Sequence, residues 1–251
     1  MIETSQPGVD SLPRKIKDTQ SYLRLWNGMK IQFHKPLEKP TPLSLADLIP
    51  SEFKDFPLEI EIGCGKGEFI SERSNLFRER FFIGIDRRSD RIRLTQNKIN
   101  HPRCLIVQED ARSFLQEGLP KNIEALHIYH PDPWPKSKHH KHRFFRSPDA
   151  FKWVESIRLG GTLFISTDHK NYFEEILEII ASWPQILSPA IVYKKEFYHS
   201  RPKTHFEGIF LNKREPVYKA VFARVPPSNS EFDKGSPVYF SNSPIAFINR
   251  K

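Results

Sequence analysis

"LEIEIGCGKGEF", residues 58–69, decides how the rest of the chain is read. Its first half alternates aliphatic residues with glutamate, as a strand does, and then breaks into Gly63, Gly65 and Gly67. Glycines at a strand-to-helix turn let the backbone turn tightly and a ligand come close before the helix begins. Their spacing is GxGxG, which tilts away from the GxGxxG of a nicotinamide-type pyrophosphate site, and such a turn on its own is a weak signal, since a minority of them serve packing alone. Glu61 is more informative. A central parallel strand is covered on both faces and normally apolar, so an acid near its carboxyl end needs a reason, and a ligand's ammonium group supplies one. Glu59, two residues earlier, reads as a structural ion pair or has no account at all.

Outward from this stretch, short apolar runs alternate with amphipathic segments, the pattern of βα units and a mostly parallel sheet. Strands are expected at 58–63, 80–86, 104–110, 123–129 and 161–168, with "PVYKAVFARV" (216–225) as an antiparallel last strand. Helices are expected around 67–77, 88–99, 111–117, 147–158 and 170–182, and 194–215 reads as a loop. The α/β domain spans 56–225, behind a proline-rich, extended arm at 1–55 and before a turn-rich tail at 226–251.

The 251 residues carry 39 Lys+Arg against 30 Asp+Glu, a net charge of +9, which favours a polyanionic partner such as nucleic acid. Two cysteines, Cys64 and Cys104, are too few for a disulfide framework or a zinc site, so no metal is expected. The first residues lack the apolar core of a signal peptide, and no window approaches the ~18 apolar residues of a membrane span. A soluble, cytoplasmic protein with no membrane association and no obligate protein partner is the expectation.

Ligands of an open α/β sheet bind at the carboxyl ends of its strands, and acids recur there. Asp86 closes the second strand 19 residues after Gly67, near the ~20-residue interval at which an acid meets a ribose diol. Asp110 follows the third, where a carboxylate can accept from an adenine amino group or cap the next helix. Glu61, Asp86 and Asp110 together fit an amino-acid nucleoside, S-adenosylmethionine: ammonium, ribose and adenine in turn. That cofactor implies a Rossmann-like S-adenosylmethionine-dependent methyltransferase fold.

After the fourth strand comes "HPDPWPKSKHHKHRFFR", residues 130–146. Asp132 stands between Pro131 and Pro133 on a loop that proline stiffens from both sides. Trp134 offers a flat surface for a base or a cover for the strand end. Lys136, Lys138, Lys141, Arg143 and Arg146, with His139, His140 and His142, form a cationic run that is either a solvated charged loop, as most charge runs are, or, because it adjoins the expected site, a phosphate-binding one.

These residues resemble the tRNA (guanine-N7)-methyltransferase family of the bacterial single-chain type. The likeness covers roughly 55–225 and rests on "EIGCGKGEF", "FIGID", "QEDA", "HPDPWPKSKHHKHR", "ISTDHKNY" and "RPKTHFEGIFLNKREPVYKAVF". It implies methyl transfer from S-adenosylmethionine to N7 of a variable-loop guanine in tRNA. It also implies cofactor contacts at Glu61, Asp86, Asp110 and Asp132, with Asp132 the catalytic residue. Substrate contacts are implied at Lys136, Asp168, Thr204, His205, Phe206 and Glu207. The chain departs from the family at His130, often phenylalanine, at His205, usually lysine or arginine, and at Asp86, commonly glutamate. Two other readings stand beside this one: an exocyclic amino-group methyltransferase, whose double proline is missing here, and a nonenzymatic RNA-binding scaffold, which has no use for the strand-end acids.

Overall fold

Alternation along β1 (Leu58–Ile62) sends Leu58 and Ile60 to one face of a sheet and Glu59 and Glu61 to the other, and the architecture grows from that division. The computed structural model describes residues 44–116, 118–183, 187–189 and 202–225. Most of the arm, Glu117, part of the 194–215 segment and the tail from 226 lie outside the described residues. The other strands are β2 (Phe81–Asp86), β3 (Cys104–Gln108), β4 (Ile123–Tyr129), β5 (Ile157–Thr167), β6 (Leu187–Pro189) and β7 (Tyr218–Arg224). They form one sheet in the order β3-β2-β1-β4-β5-β7-β6. The first five are mutually parallel, and β7 runs antiparallel between β5 and β6. The strand order therefore reverses between β1 and β4, the place where open α/β sheets bind ligands.

Helices cover both faces. On one side α3 (Pro148–Glu155) and α4 (Lys170–Ala181) press Trp153, Val154, Tyr172 and Ile176 onto Ile60, Ile83, Leu126 and Leu163. On the other, α1 (Glu68–Leu76) and α2 (Ser89–Gln96) bring Phe69, Ile70 and Ile92 against Phe82, Ile106 and Phe164. This second face also buries a polar network. Glu59, 0% exposed, accepts from Arg73 Nε at 2.5 Å and Nη2 at 3.0 Å, and from Arg80 Nη1 at 2.6 Å. His127 meets it through Nε2 at 3.0 Å and the Tyr129 hydroxyl through Nδ1 at 2.9 Å. Glu59 is thus a structural ion pair.

The structure departs from the sequence expectations in five places, the first being β5, which begins at Ile157, before the strand expected at 161–168 and inside the helix expected over 147–158. His205–Asn212 is a helix, α5, inside the stretch read as loop; Gly208 dilutes its helical pattern, yet Thr204 and Glu207 stand at capping-box spacing. Ala111–Leu115 is a 3-10 helix, shorter and tighter than expected. Strand β6 is additional to the expected set, since three residues ending in proline carry no periodicity and suit only an edge. Within the expected extended arm, Leu45–Leu48 and Ser51–Phe53 form 3-10 turns that bury Leu45 and Leu48 and stack Phe53 on Phe81.

Candidate active site

Behind β1 the chain turns on Gly63, Gly65 and Gly67, with φ of 79°, 56° and 74°, values that L side chains rarely adopt. A Cβ at Gly63 would meet nothing within 4 Å, so space is open above that turn. At Gly67 a Cβ would fall 2.2 Å from Thr95 Cγ2, so here glycine is required by α2. Thr95 also donates to the Gly65 carbonyl at 2.9 Å, and Lys98 Nζ to the Lys66 carbonyl at 2.8 Å. The turn is thereby held by the helix after β2, a role that no spacing in the sequence announced.

Acids ring this turn. Glu61 is 4% exposed at the end of β1. Asp86 ends β2 and accepts from the backbone N–H of Gly65 at 3.0 Å and of Arg88 at 2.9 Å, with Arg91 Nη1 at 3.8 Å. Asp110 caps the 3-10 helix through the Arg112 N–H at 3.0 Å and takes the Arg112 guanidinium at 3.0 and 2.7 Å. That side-chain bond, outweighing partial burial, holds the Asp110 carboxyl below its ordinary value. Capping and ligand contact are compatible, because an ionised carboxylate has about four acceptor positions.

On the neighbouring strand, β4, the chain leaves through His130, Pro131, Asp132, Pro133 and Trp134. His130 and Trp134 both adopt the left-handed region, φ 48° and 43°. Such backbone costs of order 1–3 kcal/mol per residue and persists only where the surroundings impose it. At the first residue the His130 N–H donates to the Ser166 carbonyl at 2.7 Å, and Nδ1 donates to Asp168 Oδ1 at 3.1 Å. Beyond Asp132, Arg143 Nε donates to the Pro133 carbonyl at 2.7 Å. Asp132 is exposed and has no hydrogen-bond or ion-pair partner among the described residues. Partial burial pushes the Asp168 carboxyl up, and the His130 bond, a backbone hydrogen bond and the charges of His130 and His169 together overcome it, leaving Asp168 below its ordinary value.

The remaining expected contacts divide. Lys136 is exposed at the start of the 3-10 helix Ser137–His142. Thr204 caps α5 through the Glu207 N–H at 3.1 Å, and Glu207, 2% exposed, pairs inward with Lys219. His205 Nδ1 lies 3.5 Å from Glu68 Oε1, which ties α5 to the helix behind the glycine turn. Phe206 is 41% exposed, with its ring 5.9 Å from that of His130. So Phe206 and Lys136 face outward, while Thr204 and Glu207 hold the helix that presents Phe206. The basic run divides too: Lys136, Lys138 and Lys141 are exposed, but Arg143 is 3% exposed and, with Arg146, engages Glu175.

A parallel sheet with an antiparallel strand at one side, a glycine turn after β1 and acids past its neighbouring strands define the fold class of the S-adenosylmethionine-dependent methyltransferases. Among solved structures, the 16S rRNA methyltransferase KamB aligns with TM-score 0.51 at 14% identity, covering 82% of this chain and 100% of that one, a likeness of fold. A family profile described as "Putative methyltransferase" matches residues 55–220. The tRNA (guanine-N(7)-)-methyltransferase of Nitrosomonas europaea is 30% identical over 169 residues, 66% of this chain and 75% of that protein. Its namesake from Neisseria gonorrhoeae is 28% identical over 210 residues, 80% of this chain and 82% of that one. The chain belongs to the tRNA (guanine-N7)-methyltransferase family.

Proposed function

We propose that this chain transfers a methyl group from S-adenosylmethionine to N7 of a variable-loop guanine in tRNA, with Asp132 as its catalytic residue. The observation that carries the reading is an exposed carboxylate, without a partner among the described residues, held between two prolines and two left-handed residues, one strand away from an open glycine turn.

The residues around that turn fit the cofactor. Space above Gly63 admits a ligand that any side chain there would obstruct. Glu61 suits its ammonium group, Asp86 its ribose hydroxyls and Asp110 its adenine amino group, each by accepting hydrogen bonds. Bound there, S-adenosylmethionine supplies an electrophilic methyl group on a sulfonium centre.

Guanine N7 presents a lone pair and carries no proton, so the protein need not remove one. Its tasks are alignment and a favourable field, since the ring becomes cationic as N7 takes the methyl group. Asp132 serves both by accepting from the N1–H and amino group of guanine, and a carboxylate with no partner among the described residues keeps its lone pairs for that purpose. Asp168, oriented by His130, is placed to hold another edge of the base, and Phe206 offers it a stacking face. Exposed Lys136 meets the phosphates.

The decisive experiment incubates the protein with labelled S-adenosylmethionine and unmodified tRNA, then maps the product. The expected outcome is 7-methylguanosine at one variable-loop position; N-methylated amines as product, or cofactor binding without transfer, would exclude the reading. Asp132→Ala should fall close to background while still binding S-adenosylmethionine. A rate within about tenfold of wild type, ~1.4 kcal/mol in barrier, would remove Asp132 from the chemistry.

A further inference from the structure

Arg143 is indistinguishable in sequence from its neighbours in the basic run, yet its surroundings set it apart. The side chain is 3% exposed, so it does not lie on the face an RNA backbone reaches. Its Nε donates to the Pro133 carbonyl at 2.7 Å, Nη1 donates to Glu175 on α4, and the guanidinium carbon lies 4.7 Å above the Tyr172 ring. Glu175 is itself gripped from a second side by Arg146, at 2.5 and 3.2 Å.

Asp132 has no side-chain partner among the described residues, so its carboxylate is placed by its backbone alone. That backbone is fixed ahead of it by the bond from His130 N–H to Ser166. The bond on the other side, one residue past Asp132, is the one from Arg143 to the Pro133 carbonyl. Without it, Pro133 and the left-handed Trp134 lose a restraint on a loop that is costly to hold, and Asp132 shifts. Displacements of about 1 Å at a reacting centre can lower a rate on the order of 100-fold.

We propose that Arg143, anchored by Glu175, is a positioning residue that sets Asp132 for methyl transfer, and that it makes no phosphate contact. The inference rests on the role proposed above for Asp132.

The test compares Arg143→Lys, Glu175→Gln, Asp132→Asn and the Arg143→Lys/Asp132→Asn double variant, in single-turnover methylation of unmodified tRNA. S-adenosylmethionine affinity and melting temperature confirm that each variant is folded. For Arg143→Lys the expected result is a maximal rate lowered by about 10- to 100-fold, with KM for tRNA and the salt dependence of tRNA affinity unchanged. Glu175→Gln should show the same split, and it carries the test if Arg143→Lys no longer binds S-adenosylmethionine. In the Asp132→Asn background the Arg143 substitution should add almost nothing, because an effect exerted through Asp132 disappears with it; a purely structural role would persist there. A rate within twofold of wild type in both clamp variants overturns the proposal, as does a flattened salt slope for Arg143→Lys. Full activity in Asp132→Asn would instead overturn the assignment of Asp132 itself.

Discussion

Glu59 and Asp132 show how differently one chain treats two carboxylates. Asp132 faces outward without a partner among the described residues; Glu59 is fully buried against Arg73, Arg80 and His127. Burial pushes the Glu59 carboxyl up, and the hydrogen bond and charge of His127, followed by those of Arg73, overcome it and hold it well below the usual carboxylate range. A carboxyl depressed in the folded state stabilises the protein fully above its unfolded value of about 4.3 and loses that contribution as pH falls through the folded value. Removing one partner of a buried ion pair costs about 3–5 kcal/mol, so Glu59→Gln should lower stability by that order in urea titrations at pH 7. The gap between wild type and variant should narrow as pH falls below about 4.3; a gap that widens in acid would contradict this account. At this scale the sequence was only half legible. Glu59 and Glu61 are both acids on one face of a buried strand, and no local pattern says that Arg73, 14 residues on, reaches the first. Arg143 is the same problem in reverse, a buried clamp that local composition disguised as a surface charge.

Among the elements, the glycine turn and α2 behave as one unit, because Thr95 fills the space that a side chain at residue 67 would need. Gly67→Ala therefore combines left-handed strain of roughly 1–2 kcal/mol with displacement of Thr95 and its bond to Gly65. It should lower both the urea midpoint and S-adenosylmethionine affinity. Gly63→Ala carries similar strain but no clash, so its stability loss should be the smaller while its affinity loss remains; calorimetry beside urea denaturation separates the two. Equal stability losses would show that the Thr95 contact does not matter. Five parallel strands were legible here because apolar runs bounded by turn residues survive in any buried sheet, and β4 matches its expected limits, Ile123–Tyr129. Helix α5 was not, since only Glu207 of its eight residues is buried and a helix with so little core-facing pattern leaves only its cap to announce it.

For the molecule as a whole, the positive charge that matters is narrower than the net +9 implies. Many cations are already engaged: Arg73 and Arg80 by Glu59, Arg112 by Asp110, Arg143 and Arg146 by Glu175. Exposed Lys136, Lys138 and Lys141 remain beside Asp132. Neutralising two of them should reduce the slope of log affinity for tRNA against log salt by about one for each phosphate that the variant no longer neutralises, and an unchanged slope would place the RNA elsewhere. The antiparallel setting of β7 adds a consequence for how the protein can be tethered. Tyr218 pairs with Thr167 at the edge that carries the proposed site, and Ala223 pairs with Thr162 towards the opposite edge. The described chain thus leaves the sheet at Arg224 on the far side from Asp132, the same side on which Leu58 enters it. A dye or a surface linker attached at Val225 would have to span roughly 20 Å, the length of a seven-residue strand, before it touched the edge proposed as catalytic.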